Sequence, residues 1–418
     1  MKLELSRSSE EITEAALQIT GSKSETNRLL ILQALYPNVH IDNVSKSDDS
    51  EVLQKALKSS DKIIDIHHAG TAMRFLTAYF SAKNDAEVIL TGSERMQQRP
   101  IGVLVDALRM VGADITYTKK SGFPPLKIKG KNLQKHKVTL KAGVSSQFIS
   151  ALLLIAPSLP NGLELTLEGN VTSRPYIEMT LALLKQVGVS GHFAENTITV
   201  HPLSAIQDAI VTVESDWSSA SYFYSLVALS GPPAGQAGKK TIQLQSYKTE
   251  SLQGDSALVG LYKALGVHTI YNPEAYSITL EKKKTHLPSV YQADLSNTPD
   301  IAQTIAVTCF GLGIGCKLTG LHTLKIKETD RLLALKIELE KLGGVVSISE
   351  DSLTISPSKE IHQSVAIDTY NDHRMAMAFA PLALKTSLII NNAEVVSKSF
   401  PTFWEDMRKV GVQVQEIY

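Results

Sequence analysis

The chain has 418 residues, 43% hydrophobic and 20% charged, a composition typical of a globular protein with two or three domains. Basic and acidic residues balance, so bulk electrostatic attraction to nucleic acid or an acidic membrane is excluded. No stretch approaches the roughly 18 consecutive apolar residues of a membrane helix, and we expect no signal or transit peptide. Cys309 and Cys316 lack metal-ligand spacing and read as buried apolar residues, so we expect a reducing, cytoplasmic setting.

Two polar segments near the start of the chain each precede an apolar run. Residues 21–28 contain glycine, serine, lysine and arginine and precede Leu29–Leu35, a pattern that predicts a loop entering a helix. Residues 68–74 repeat this pattern, with Gly70 allowing a ligand to approach the backbone. Free N–H groups at a helix N-terminus, together with such side chains, suit a phosphate or carboxylate, although the Walker A spacing is missing.

The next polar segments continue the pattern. Arg95 and Arg99 come before a predicted helix with Pro100 at its first position. Arginines there can bind a carboxylate or phosphate through two parallel hydrogen bonds, but an ordinary surface loop explains them equally well. Residues 145–148, Ser-Ser-Gln-Phe, open the apolar helix predicted at 149–156, where serine is a good N-cap.

Polar helix starts recur through the rest of the chain, at residues 173–176, 216–222, 299–300, 327–331, 370–375 and 398–401. After the fourth of these segments, leucines three and four residues apart predict a helix over Leu332–Leu342 with one buried face, capped by Thr329 or Glu328. A capped, solvated helix start explains any one cluster. The recurrence favours another interpretation, in which parallel helices direct their N-termini and basic side chains at bound anions. The acids available there for proton transfer are Asp300, Glu328, Asp330 and Asp372.

A repeated pattern of helix, glycine and strand predicts the architecture. Its glycines recur about every 70 to 80 residues, at positions 112, 188, 266, 343 and 411. Glycine after the last helical turn is a C-cap, and the alternating runs that follow are typical of half-buried strands. A sixth, degraded copy lies at residues 52–66, so we predict six α/β subdomains, three in each half. The clearest loop, residues 231–238, falls near the point where the halves meet.

Taken in order, these motifs resemble those of the EPSP synthase family, the 3-phosphoshikimate 1-carboxyvinyltransferases. The matching segments are residues 21–28, 69–74, 99–101, 145–148, 327–331 and 371–375. The resemblance implies a two-lobe inside-out α/β barrel, each lobe built of three βαβαββ-like subdomains, with the active site in the cleft between the lobes. One lobe would combine residues 1–20 with 216–418, and residues 21–215 would form the other, with crossovers near 20 and 215.

The resemblance also implies a reaction and its residues. The enolpyruvyl group of phosphoenolpyruvate would pass to the 5-hydroxyl of shikimate 3-phosphate, releasing phosphate, without metal or organic cofactor and in a monomer that binds small molecules only. Asp300 would accept a proton, Glu328 would donate one, and Lys23 would touch both substrates. The implied ligands of shikimate 3-phosphate are Lys23, Ser24, Arg28, Ser145, Ser146, Gln147, Ser173, Asp300, Thr323 and Lys327. Those of phosphoenolpyruvate are Lys23, Gly70, Arg99, Gln147, Arg331, Arg374 and Lys398.

The chain departs from the family pattern at four positions. Thr20 and Phe75 replace prolines, and His68 and Thr323 replace asparagines. Thr323 is shorter than the asparagine that contacts shikimate 3-phosphate in the family, so we expect it to reach the ligand through water. The ring of Phe75 leads us to expect an altered response to mimics of phosphoenolpyruvate such as glyphosate.

Two alternatives compete with this interpretation. The sister enzyme that acts on UDP-N-acetylglucosamine normally carries Lys-Asn where this chain has Lys23 and Ser24. It also has a reactive cysteine in its first half, whereas Cys309 and Cys316 both lie in the second. An inactive binding protein on the same fold would have lost an acid or an anion ligand, and none of the expected residues is missing.

Overall fold

A computed structural model of the chain describes residues 1–10, 12–141, 143, 145–169, 171, 174–231 and 240–417. The predicted ligand Ser173, and all but the first residue of the predicted loop at 231–238, lie outside the described residues. The chain forms two compact units. The discontinuous unit combines Met1–Thr20 with Glu214–Tyr418, and the continuous unit is Gly21–Val213.

The described residues form twelve α-helices, which are α1 (Lys23–Leu35), α2 (Asp48–Lys58), α3 (Gly70–Ala82), α4 (Gly102–Met110), α5 (Ser146–Ile155), α6 (Arg174–Gln186), α7 (Trp217–Leu229), α8 (Leu258–Lys263), α9 (Ala302–Gly311), α10 (Arg331–Lys341), α11 (His373–Phe379) and α12 (Phe403–Lys409). They also form strands β1 (Lys2–Arg7), β2 (Glu14–Gln18), β3 (Val39–Asp42), β4 (Ile63–Asp65), β5 (Glu87–Thr91), β6 (Asp114–Tyr117), β7 (Leu126–Lys129), β8 (Lys137–Lys141), β9 (Leu163–Glu168), β10 (Gly191–Ala194), β11 (Thr197–Val200), β12 (Ala209–Thr212), β13 (Thr241–Gln245), β14 (Val267–Asn272), β15 (Ser277–Lys282), β16 (Val290–Asp294), β17 (Gly315–Thr319), β18 (Val346–Ile348), β19 (Leu353–Ile355), β20 (Val365–Ile367), β21 (Leu388–Asn391) and β22 (Val412–Ile417).

Three four-stranded sheets make up the discontinuous unit, in the orders β2–β13–β15–β14, β16–β17–β19–β18 and β20–β21–β1–β22. In the second, β16 and β17 pair in parallel across α9, and β18 and β19 form an antiparallel hairpin at the edge. This βαβαββ connection recurs in the first sheet, where the continuous unit is inserted in the chain between β2 and α7, and in the third sheet with one change. In the third sheet the N-terminal strand β1 occupies the position between β21 and β22, antiparallel to both.

The continuous unit repeats the same plan twice and then shortens it. Its two four-stranded sheets have the orders β4–β5–β7–β6 and β8–β9–β11–β10, and its third sheet is the parallel pair β12–β3. The prediction of repeated α/β subdomains is therefore confirmed. The degraded sixth copy at 52–66 is helix α2 followed by strand β4, but β4 joins the next sheet rather than one of its own.

The five glycines of the repeat all have positive φ angles, between +85° and +109°, at positions 112, 188, 266, 343 and 411. This region of φ strains residues with a Cβ atom, so glycine is what allows the chain to leave the helix and turn into the hairpin. The repeat could be recognised in the sequence because the backbone conformation at each of these positions requires glycine.

The most deeply buried helices form the centre of each unit. Every residue of α9 and of α11 is buried, and so is nearly all of α7. Helix α9 packs against both of the others, and α1, α3 and α5 pack against one another in the continuous unit. Strands such as β13 alternate between buried and partly exposed residues, so the sheets cover the helices with one apolar face.

Several helix starts differ from their predictions, and α5 begins at Ser146 rather than at residue 149 because Ser145 caps it. Helix α1 begins at Lys23 rather than Leu29, because Ser22 caps it and the polar residues of its first turns are buried. Helix α4 begins at Gly102, after Pro100. The cap of α10 is Asp330, whose carboxylate accepts from the N–H of Leu333 at 3.1 Å, so the prediction of Thr329 or Glu328 was wrong.

Candidate active site

The starts of α7, α9, α10 and α11 come together within the discontinuous unit around one buried guanidinium. Arg331, the first residue of α10, is 2% exposed at its side chain. Its nitrogens contact the carboxylates of Asp300 at 3.0 Å, Glu328 at 2.8 Å and Asp372 at 2.6 Å. We call Asp300, Glu328, Arg331, Asp372 and Arg374 the arginine–carboxylate cluster. Arg331 thus holds the two predicted proton-transfer acids on one side chain.

A second arginine joins the cluster from the first turn of α11. Arg374 donates to the backbone carbonyl of Asp300 at 3.0 Å, and its Nη2 lies 3.3 Å from the Asp300 carboxylate. The Asp372 carboxylate caps α11 by accepting from the Arg374 N–H at 2.9 Å. Lys327 Nζ lies 3.3 Å from Asp300. Asp300 is therefore in contact with three cations.

Burial and these charges oppose each other at Asp300. Burial by itself raises the pKa of the Asp300 carboxyl, but Arg374, Lys327 and Arg331 outweigh it and hold that pKa well below its usual range. Burial likewise opposes the charge of Arg331, but its carboxylate partners raise the pKa of this guanidinium above its ordinary value. Asp300 is thus a firmly ionised carboxylate and a weak base as long as its cations remain in place.

Two further predicted ligands belong to the same unit as the cluster. The Oγ1 atom of Thr323 is buried and has no hydrogen-bond partner among the described residues. Thr323 lies in a short 3₁₀ helix, His322–Ile326, that leads directly into Lys327. Lys398 Nζ donates to the carbonyl of Asn371 at 2.6 Å, next to the capping residue of α11.

In the continuous unit, Arg28 ties three helices together. Its Nε donates to Thr180 at 2.8 Å, and its two Nη atoms donate to the Ser24 carbonyl at 2.8 Å and to Ser150 at 2.9 Å. The side chain is buried, which lowers the pKa of Arg28 to about 10. The guanidinium also lies 5.6 Å from the centre of the Phe75 ring. The unusual Phe75 is therefore buried against a predicted substrate ligand.

The remaining predicted ligands of this unit lie at helix starts. A Cβ atom on Gly70 would come within 2.6 Å of Arg99 Nη1, so glycine is what lets this guanidinium lie against the start of α3. Gln147 donates to Thr71 at 3.2 Å, which links the start of α5 to that of α3. Lys23, at the start of α1, lies 3.7 Å from Asp49. Ser145 caps α5, whose first residue is Ser146.

Two residues near the cluster were not predicted from sequence. The hydroxyl of Ser218, in the first turn of α7, accepts from Arg374 Nη2 at 3.3 Å and donates to the Asp255 carboxylate at 2.5 Å. Burial, assisted by the negative charge of Asp300, raises the pKa of Asp255 to about 7. Ser218 lies in a helix start that the sequence did mark. Asp255 lies in a short turn without a motif, so no sequence signal pointed to it.

Comparison with solved structures identifies the fold as that of the enolpyruvyl transferases. An EPSP synthase from Acinetobacter baumannii matches with a TM-score of 0.77 at 20% identity, each chain covered completely. An enolpyruvyl transferase from Streptomyces tendae matches with a TM-score of 0.74 at 13% identity, over 99% of this chain and 98% of that one.

Sequence comparison identifies the family. The family model for EPSP synthase (3-phosphoshikimate 1-carboxyvinyltransferase) matches residues 51–407. A 3-phosphoshikimate 1-carboxyvinyltransferase from Bacteroides fragilis is 46% identical over 406 residues, 96% of each chain. The chain belongs to the EPSP synthase family. In the part of the chain that the structure describes, no helix has the length and apolarity to cross a bilayer.

Proposed function

We propose that the chain transfers the enolpyruvyl group of phosphoenolpyruvate to the 5-hydroxyl of shikimate 3-phosphate, releasing phosphate. This is the reaction named by its family and by its relative from Bacteroides fragilis. The observation that carries the proposal is the pairing of Asp300 and Glu328 on the guanidinium of Arg331. The reaction needs one group to accept a proton and another to donate one, and the cluster places a carboxyl group for each role on one guanidinium.

The proposed chemistry has two steps. The 5-hydroxyl oxygen bonds to C2 of phosphoenolpyruvate, while its proton passes to Asp300 and C3 receives a proton from Glu328. The resulting tetrahedral intermediate then loses phosphate from C2 and a proton from the new methyl group, which restores the double bond. Atoms and charges balance without a cofactor, because the methyl proton returns to Glu328 and the departing phosphate takes the 5-hydroxyl proton from Asp300, so both carboxyl groups return to their starting states.

Ligand binding would change the basicity of Asp300. Arg374 and Lys327, which hold the pKa of Asp300 low, are also proposed ligands of the anionic substrates. A phosphate or carboxylate that draws these cations away weakens their hold on Asp300, and its pKa rises towards the range of a useful base. Proton acceptance would therefore become efficient when the substrates are bound.

The remaining ligands follow the family motifs. For shikimate 3-phosphate we propose Lys23, Ser24, Arg28, Ser145, Ser146, Gln147, Ser173, Asp300, Thr323 and Lys327. For phosphoenolpyruvate we propose Lys23, Gly70, Arg99, Gln147, Arg331, Arg374 and Lys398. The buried, unpaired hydroxyl of Thr323 supports its place among the ligands. Arg28 uses four donor contacts within its own unit, so it acts at least in part by fixing α1 against α5 and α6.

The test is phosphate release from phosphoenolpyruvate with shikimate 3-phosphate, run beside UDP-N-acetylglucosamine. Release with the first acceptor and not the second is expected. Release with the nucleotide sugar alone would overturn the proposal in favour of the sister enzyme, and binding without turnover would indicate an inactive relative. We also propose that the chain works as a monomer in the cytoplasm. Analytical sedimentation at micromolar concentration would test the oligomeric state.

A further inference from the structure

Arg374 is connected through the hydroxyl of Ser218 to a carboxylate that the proposed reaction does not use, that of Asp255. Asp255 is 4% exposed and lies in a short 3₁₀ helix, Gly254–Ala257. Gln253 fastens this turn to the start of α7, because its Oε1 accepts from the Trp217 N–H at 2.9 Å and its Nε2 donates to the Ser215 carbonyl at 3.0 Å. Asp255 is thus held in a fixed place beside Ser218.

The hydroxyl of Ser218 connects the two charged groups in one direction only. Arg374 has no acceptor atom, so Ser218 must accept from it at 3.3 Å. The single proton of Ser218 then goes to Asp255 at 2.5 Å. An acceptor at Asp255 therefore fixes the rotation of the hydroxyl so that its lone pair faces Arg374. Without that acceptor the hydroxyl is free to turn its proton towards the guanidinium, which repels it.

We propose that Asp255 and Ser218 are positioning residues that hold the Arg374 guanidinium in the orientation that receives phosphoenolpyruvate. The inference rests on the proposed function. Arg374 also contacts Asp300, and a substrate anion that competes with Asp300 for this guanidinium removes that anchor. Ser218 accepts from Nη2, the nitrogen that also lies 3.3 Å from the Asp300 carboxylate, and this second anchor persists when the Asp300 carboxylate contact is released.

The surroundings of Asp255 argue against a purely structural role. Its Oδ1 is buried and has no hydrogen-bond partner among the described residues. The other charges facing it are Asp300 and Asp216, which repel it, and Arg374, which attracts it. A buried carboxyl group with one oxygen unpaired destabilises the fold, and an apolar side chain would avoid that cost. What the carboxylate provides at this position is the acceptor for Ser218.

The experiment measures steady-state kinetics of the full chain with phosphoenolpyruvate as the varied substrate and shikimate 3-phosphate saturating. Ser218→Ala and Asp255→Ala should each raise KM for phosphoenolpyruvate about 10- to 100-fold, the effect of one lost hydrogen bond to a charged group, with kcat changed less than about threefold. The KM of the double variant should not exceed that of the single variant with the higher KM, because both changes break the same connection. Asp255→Asn keeps an acceptor and should restore most of the affinity.

Asp406→Ala is the matched control. Asp406 is another buried carboxylate of the same unit that accepts from a hydroxyl, that of Thr402 at 3.1 Å. It should lower Tm without changing KM. If the wild type turns over normally and KM is unchanged in both Ser218→Ala and Asp255→Ala, this inference is overturned but the proposed function is not. Additive effects on KM in the double variant would overturn it in the same way. Absence of turnover in the wild type would instead overturn the proposed function. Ser218 is only half-buried, so its variant still tests the inference if Asp255→Ala fails to fold.

Discussion

The substitution Glu328→Gln distinguishes the role of Glu328 as proton donor from its contribution to the stability of the fold. The Glu328 carboxylate lies 2.8 Å from Arg331 Nη2 and is 25% exposed. Glutamine keeps an oxygen acceptor of the same shape, but it has no proton to give to C3. Arg331 retains Asp372 and Asp300, so the charge lost at a partly exposed position should change the free energy of unfolding by no more than about 1 kcal/mol.

The kinetic effect should be much larger than the effect on stability. Removing a general acid typically costs about 10²- to 10⁴-fold, or roughly 2.7–5.4 kcal/mol in the activation barrier. We therefore expect kcat for phosphate release to fall by that factor, while calorimetry shows shikimate 3-phosphate still binding. Glu340→Gln, at an exposed position near the end of α10 where it pairs with Lys336, should leave both unchanged. Turnover of Glu328→Gln within about threefold of wild type would refute the assignment.

Three further predictions concern buried groups. Because burial raises the pKa of Asp255 to about 7, against about 3.9 in an unfolded chain, its ionisation destabilises the fold increasingly as pH rises between these values. Asp255→Asn should therefore gain up to about 4 kcal/mol over wild type in urea unfolding at pH 7 and above, with no gain near pH 4, and a pH-independent difference would contradict this. Arg28→Lys loses the forked donors and should lower the free energy of unfolding by about 2–4 kcal/mol, whereas a change below about 0.5 kcal/mol would show that the contacts contribute little. Phe75→Leu removes the ring beside Arg28 and should change the ratio of the glyphosate inhibition constant to KM for phosphoenolpyruvate by about threefold or more, and an equal ratio would argue against any role for the ring.

Five of the six repeated subdomains could be predicted because each of them has a glycine with positive φ where its second helix ends. Gly112 and Gly343 show this in the two units. The start of α1 could not be predicted from apolar spacing, since Asn27 and Arg28 are buried with polar partners and break the hydrophobic pattern. The role of Asp255 could not be predicted for a related reason, because it depends on a contact with Ser218, which lies in another element.

The candidate site was predictable at the level of residue types. Helix starts rich in serine, lysine and arginine indicated anion ligands, and the starts of α9, α10 and α11 do meet. The central position of Arg331 in the arginine–carboxylate cluster could not be predicted, because Arg331 and its partner Asp372 are distant in sequence. Pairing them requires the sheet order that places α10 and α11 side by side.

The position of β1 has a consequence for how the chain is made. Its Leu3 and Leu5 are buried in the finished sheet, where β1 lies between β21 and β22. Both partners are translated after the whole continuous unit. At about 5–20 residues per second, β1 waits on the order of tens of seconds with two unpaired edges and an exposed apolar face. Strand β1 is thus secured only after β21 and β22 have been translated, and until then its apolar face is available to chaperones.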